Sequence, residues 1–152
     1  MGRSVPPGSG TVSDVAARLP RMITRPSQKW GRDVREQKAA IAAGTLTEDA
    51  AYALRLWSEP FITAVDAALD AYEADVRSLS APSDEEVFAA VERVITALNA
   101  VSDEHGMIET GEREDLCEYV DVVLTNAGLD VEALTSRHDI ERYELTDEWR
   151  DW

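Results

Sequence analysis

The chain has a single cysteine, Cys117, which excludes an internal disulfide and any multi-cysteine metal centre. It has two histidines, His105 and His138, and neither stands in a Glu-x-x-His or His-Glu-x-x-His spacing. A di-iron bundle and a zinc peptidase are therefore not expected. No apolar run approaches the ~18 residues that would cross a bilayer. The first residues, MGRSVPPGSG, lack the apolar stretch of a signal peptide, and Pro6 stands where a myristoylation signal needs Ser or Thr. A cytoplasmic protein is the expectation. Strand signals are missing too, because apolar alternation never persists and the β-branched residues sit at helical spacing. The only glycine-rich stretch, GSG at 8–10, is not followed by the helix that a phosphate-binding loop requires. No internal repeat recurs at a fixed period.

What the chain does have is acid. Its 152 residues carry a net charge of −15. Residues 1–38 hold eight basic groups (Arg3, Arg18, Arg21, Arg25, Lys29, Arg32, Arg35, Lys38) against Asp14, Asp33 and Glu36, a net of +5, so residues 39–152 carry −20. Such a body repels nucleic acid and anionic membrane and attracts a basic protein. At 152 residues the chain is long enough for one domain with a real core. The division expected is a flexible basic segment over 1–28 and an acidic helical domain over 29–152. Residues 1–10 have little to bury, and Val12, Val15, Leu19, Met22 and Ile23 fall near helical spacing but are broken by Pro20 and Pro26. One short helix at 13–19 is the most that this run suggests.

From residue 30 the pattern is helical. Trp30, Val34 and Ile41 predict a first helix over 31–43, stopped by Gly44. Thr45 and Glu48 have the spacing of a capping box for a second helix through Trp57, and Pro60 can open a third as its first residue. Phe61, Val65, Leu69, Tyr72 and Val76 then form a long apolar stripe. On the same helix Asp66, Asp70 and Glu73 stack at i, i+4, i+7, which asks for water or a nearby cation. Ser83 and Glu86 make a capping box for a fourth helix that runs to Gly106. A fifth runs from about Gly111 to Ala127, capped by Thr110, with an acidic exterior of Glu112, Glu114, Asp115, Glu118 and Asp121. Val131–Leu134 offers one turn, and Thr146 could cap a short last helix carrying Trp149 and Trp152. The expected fold is all-α, a bundle of about five helices with a short C-terminal helix.

Residues 101–112 resemble an EF-hand loop, with Gly106 at position 6, Ile108 at 8 and Glu112 at 12. Position 1, however, is Val101, which offers no side-chain oxygen, and position 5 is His105. A helix that runs through Val101 and ends at Gly106 fits better, leaving Asp103, Glu109 and Glu112 as weak cation candidates. Cys117 is flanked by Glu114, Asp115 and Glu118, which discourage a reactive thiolate. His138 and Asp139 are sequence neighbours and too poorly placed for a catalytic relay.

The runs IETGERE (108–114), NAGLDVEAL (126–134) and WRDW (149–152) resemble those of a group of small acidic helical bacterial proteins with no established activity. The resemblance implies nothing about sites.

The leading functional expectation is a non-enzymatic protein, without a cofactor, that masks a basic partner as inhibitors and immunity proteins do. The expected contact residues are Glu109, Glu112, Glu114, Asp115, Glu118, Asp121, Trp149 and Trp152, in a monomer or homodimer. Two alternatives stay open: a small helical enzyme or ligand-binding bundle, and a divalent-cation protein using the 101–112 loop.

Overall fold

A computed structural model describes residues 23–152. The flexible segment expected over residues 1–28 lies outside the described residues as far as residue 22, and the helix expected at 13–19 lies wholly outside them. Among those described, every regular element is helical: α1 (Pro26–Ala42), a 3-10 turn (Glu48–Ala50), α2 (Tyr52–Leu56), α3 (Glu59–Arg77), α4 (Asp84–His105), α5 (Thr110–Asn126), α6 (Val131–Arg137) and a second 3-10 turn (Arg142–Glu144). None of the described helices is long and apolar enough to cross a membrane.

The bundle is all-α, as the periodicity predicts. Its most extensive helix pair is α3 with α4. In α3 the buried residues Phe61, Val65, Leu69, Tyr72 and Val76 follow one stripe, and in α4 Val91, Val94, Ile95 and Leu98 answer it. Each such side chain taken fully from water stabilises by roughly 1.5–3 kcal/mol before the entropy of ordering is counted. Ser58 caps α3 by accepting from Phe61 N at 3.2 Å, so Glu59 and Pro60 together occupy its first two positions. Ser83 accepts from Glu86 N at 3.1 Å while the Glu86 carboxylate accepts from Ser83 N at 2.8 Å. Gly106 ends α4 at φ +65°, a conformation that costs a side chain but not glycine.

Three local expectations change. First, α1 begins at Pro26, five residues earlier than the periodicity places it, because Ser27, Trp30 and Gly31 are buried as well as Val34. Second, Thr45 does not cap the next helix. Its backbone N–H and its hydroxyl both donate to Ala40 O, closing α1 instead. The run towards Trp57 is broken into a 3-10 turn and the five-residue α2, since Ala51 and Ala53 must both be buried. The amide of Ala53 donates to the Gln37 side chain at 2.9 Å in place of a helical carbonyl. Trp57 stacks on Trp30, which stacks on Phe61, at centroid distances of 5.7 and 5.6 Å. Third, residues 145–149 are turns, not a helix capped by Thr146. Thr146 is buried, and its hydroxyl lies 3.4 Å from Cys117 Sγ.

The C-terminal segment is held by Asn99 of α4. Its amide donates to Trp149 O at 2.7 Å, and its carbonyl accepts from Asp151 N at 3.2 Å. Trp149 and Trp152 are half-buried and pack against the core. Tyr72, buried between helices, donates to Val120 O at 2.7 Å and so ties α3 to α5. Burial pushes that phenol well above its ordinary pKa, with the Asp121 charge adding to the shift.

Candidate functional site

The carboxylate stripe of α3 is not left to solvent. Arg25, extended just ahead of α1, lays its guanidinium across all three members. Nε and one Nη grip Glu73 as a fork at 2.8 and 2.9 Å, and the remaining contacts are to Asp70 at 3.0 Å and Asp66 at 3.1 Å. Asp66 also accepts from the buried Ser27 hydroxyl at 2.8 Å, and Glu73 from the Tyr119 hydroxyl. The network thus joins α1, α3 and α5. The Glu73 bond, with the other two carboxylates, holds the Arg25 guanidinium charged far beyond its ordinary range. Burial first, and then Glu73, push the Tyr119 phenol upward.

The same spacing recurs on α5, where Glu114, Glu118 and Asp121 stand at i, i+4, i+7. Here only Asp121 is paired. It takes a two-point bond from Arg142 at 2.7 and 2.8 Å and accepts from Thr125 Oγ1 at 2.9 Å. Glu114 and Glu118 are exposed, and among the described residues neither they nor Asp115 has an ion-pair partner. They border a groove of about 710 Å³ between α5 and the 142–150 segment. Val122, Leu145 and Cys117 give it an apolar part, Arg113, Arg142 and Arg150 line it beside the carboxylates, and so does Tyr143, which is 80% exposed. A second groove of about 280 Å³ shares Glu118 and Val122 with the first and reaches Asp115, Ile23 and Pro26. The two grooves, which share these residues of α5, are together termed the α5 trough.

The expected contact residues divide accordingly. Glu114, Glu118 and Asp121 line the larger groove, and Asp115 with Glu118 lines the smaller. Glu112 does not belong to this surface. It is 8% exposed; one oxygen accepts from Trp57 Nε1 at 2.9 Å and the other from Glu109 N at 3.0 Å. Glu109 is the residue that precedes α5, the place expected of Thr110, which is the first helical residue instead. Trp149 and Trp152 stand apart from the trough and pack on the core through the Asn99 clamp.

In the 101–112 loop Val101 lies within α4 and is buried, Met107 and Ile108 pack on the core, and His105 meets the edge of the Phe61 ring. Among the described residues no three His, Cys, Asp or Glu side chains are grouped to hold a metal ion. Of the cation candidates, Glu112 has both its oxygens committed.

A second constellation has no local sequence signal. His138 pairs not with its neighbour Asp139 but with Asp84, 2.8 Å from Nε2, while Arg137 forks onto the same carboxylate at 2.8 and 3.0 Å. Arg137 and then His138 hold the Asp84 carboxyl down at about 2. The pairing joins the end of α6 to the start of α4.

Comparison of the chain with protein-family models, with curated proteins and with solved structures returns no match.

Proposed function

We propose that this is a non-enzymatic binding protein whose α5 trough receives an arginine-bearing segment of a basic protein, masking it as an inhibitor or immunity-type protein would. The observation that carries this reading is the exposed Glu114–Glu118 pair. It repeats the spacing by which Asp66, Asp70 and Glu73 hold Arg25. A guanidinium fork on such a pair forms charge-assisted bonds, and the floor of Val122 and Leu145 takes the apolar side chains between the arginines. The acidic body steers association and disfavours nucleic acid. The reading places the protein in the cytoplasm, acting as a monomer or homodimer.

Calorimetric titration with a 12-residue peptide alternating arginine and leucine tests it. The expected result is binding that weakens about tenfold in Glu114→Lys/Glu118→Lys and falls as salt shortens the Debye length from ~10 Å at 0.1 M towards ~3 Å at 1 M. Equal binding by the double variant overturns it.

A further inference from the structure

We propose that the cavity between the start of α4 and the C-terminal segment binds a small quaternary ammonium compound of the choline class, one that carries a positive charge and no carboxylate. This cavity shares only Leu145 with the α5 trough, and its ligand does not depend on what the trough receives.

The cavity holds about 410 Å³, within the ~300–1,000 Å³ of small-molecule sites. Three of its walls are aromatic rings. Phe88 stands beside the buried Val87 in the first turns of α4 and is itself only partly covered. Its ring lies 4.8 Å from that of His138 at 88° and 6.3 Å from that of Trp149 at 52°. The rings are inclined instead of stacked, so they make a corner, and Ile140 and Leu145 extend its apolar surface. Both outer walls are fixed without a ligand. Asn99 clamps the backbone at Trp149 and Asp151, and Asp84 holds His138 at 2.8 Å.

The charge around the cavity selects a cation. Glu144, Asp147 and Glu148 line it, and no lysine or arginine does. The arginines close by are engaged, Arg150 with Asp147 at 2.7 Å and Arg137 with Asp84 at 2.8 Å. Hydrogen bonding then selects the kind of cation. His138 Nε2 is turned to Asp84, Trp149 O accepts from Asn99, and Glu144 accepts from Glu141 N at 2.8 Å. Of the three carboxylates only Glu148 has no partner among the described residues. A primary ammonium brings three N–H donors and a guanidinium five, each costly to leave unmade on leaving water. A quaternary ammonium brings none. It needs aromatic faces and a negative field, and this cavity offers both.

The test titrates the full-length protein with choline chloride into the millimolar range at constant ionic strength. The readouts are the NMR signals of the Trp149 indole N–H and the Phe88 amide. Both are expected to move along one saturating curve, while the indoles of Trp30 and Trp57, which do not line the cavity, stay in place. The neutral carbon isostere 3,3-dimethylbutan-1-ol, the primary amine butylammonium and the zwitterion betaine are each expected to bind about tenfold more weakly or less. Glu148→Gln should weaken choline about threefold. Trp149→Leu, read at Phe88 alone, should weaken it at least about tenfold. No saturable shift with choline, or isostere binding as tight, overturns the site. Butylammonium binding as tightly as choline overturns the quaternary assignment, and betaine doing so overturns the carboxylates as its selector. Unchanged choline affinity in both variants overturns the placement of the ligand in this cavity.

Discussion

Replacing Arg25 by alanine should be among the most costly changes at a partly exposed position. Its side chain and that of Glu73 are mostly covered, at 15% and 18% exposure, and they share a two-point bond. Charge-assisted bonds of this kind contribute about 1.5–3 kcal/mol. Asp70 is 70% exposed and Asp66 less so, and such pairs are worth at most about 1 kcal/mol each. Removing the guanidinium also leaves three like charges on one helix face, at a few tenths of a kcal/mol per neighbouring pair. The expected loss is about 2–4 kcal/mol. With a urea m-value of roughly 1.5 kcal/mol/M that is a midpoint shift of about 1–3 M. Arg25→Lys keeps the charge but loses the planar fork and should restore about half. Most of the loss should survive in 1 M salt, because the Glu73 pair is covered while the outer pairs are screened. A loss under about 0.5 kcal/mol, the range of ordinary surface substitutions, would refute the clamp as a structural element. Full rescue by lysine would refute the fork.

Glu112→Ala strands the indole N–H of Trp57 and should cost about 2–3 kcal/mol by urea denaturation, with a red shift of tryptophan emission; Glu112→Gln, which keeps an acceptor, should cost less. Gly106→Ala should cost about 1–2 kcal/mol in the same assay, purely from the +65° φ, since a Cβ there meets nothing within 4 Å. Asp84, held at about 2 against an ordinary 3.8, stabilises the fold above the higher value, and that contribution fades as pH falls from 3.8 towards 2. Asp84→Asn should therefore be less stable than the wild type at pH 7, with the gap closing on acidification; an unchanged gap at pH 2.5 would count against the Asp84–Arg137–His138 cluster.

The long amphipathic helices were legible because each of their signals is local. Ser83 and Glu86 are three residues apart, and the α3 stripe repeats every three or four. The Ala51–Ala53 break was not, because it is dictated by burial against other helices and by Gln37, 16 residues away. Glu112 was misread as surface from its charge alone. Its position, four before Leu116 and eight before Val120, puts it on the buried stripe, and that arithmetic was the available signal. The α3 carboxylates did ask for a cation. The cation is a side chain 41–48 residues upstream in a stretch whose prolines and charge suggested flexibility, and no spacing rule spans that distance. The same holds for Asp84 and His138, 54 residues apart.

Two stripes of the same spacing therefore stand differently in the fold, and burial decides which needs a partner. On α3, Glu73 is covered, and an uncompensated charge there would cost several kcal/mol, so a resident arginine is a condition of folding. On α5, Glu114 and Glu118 stand in water about 6 Å apart, where their repulsion is at most about 0.7 kcal/mol before screening. The fold tolerates that stripe unpaired. On the proposed reading, that pair is free to meet a cation from outside the fold, beside Arg113, Arg142 and Arg150 of the same groove.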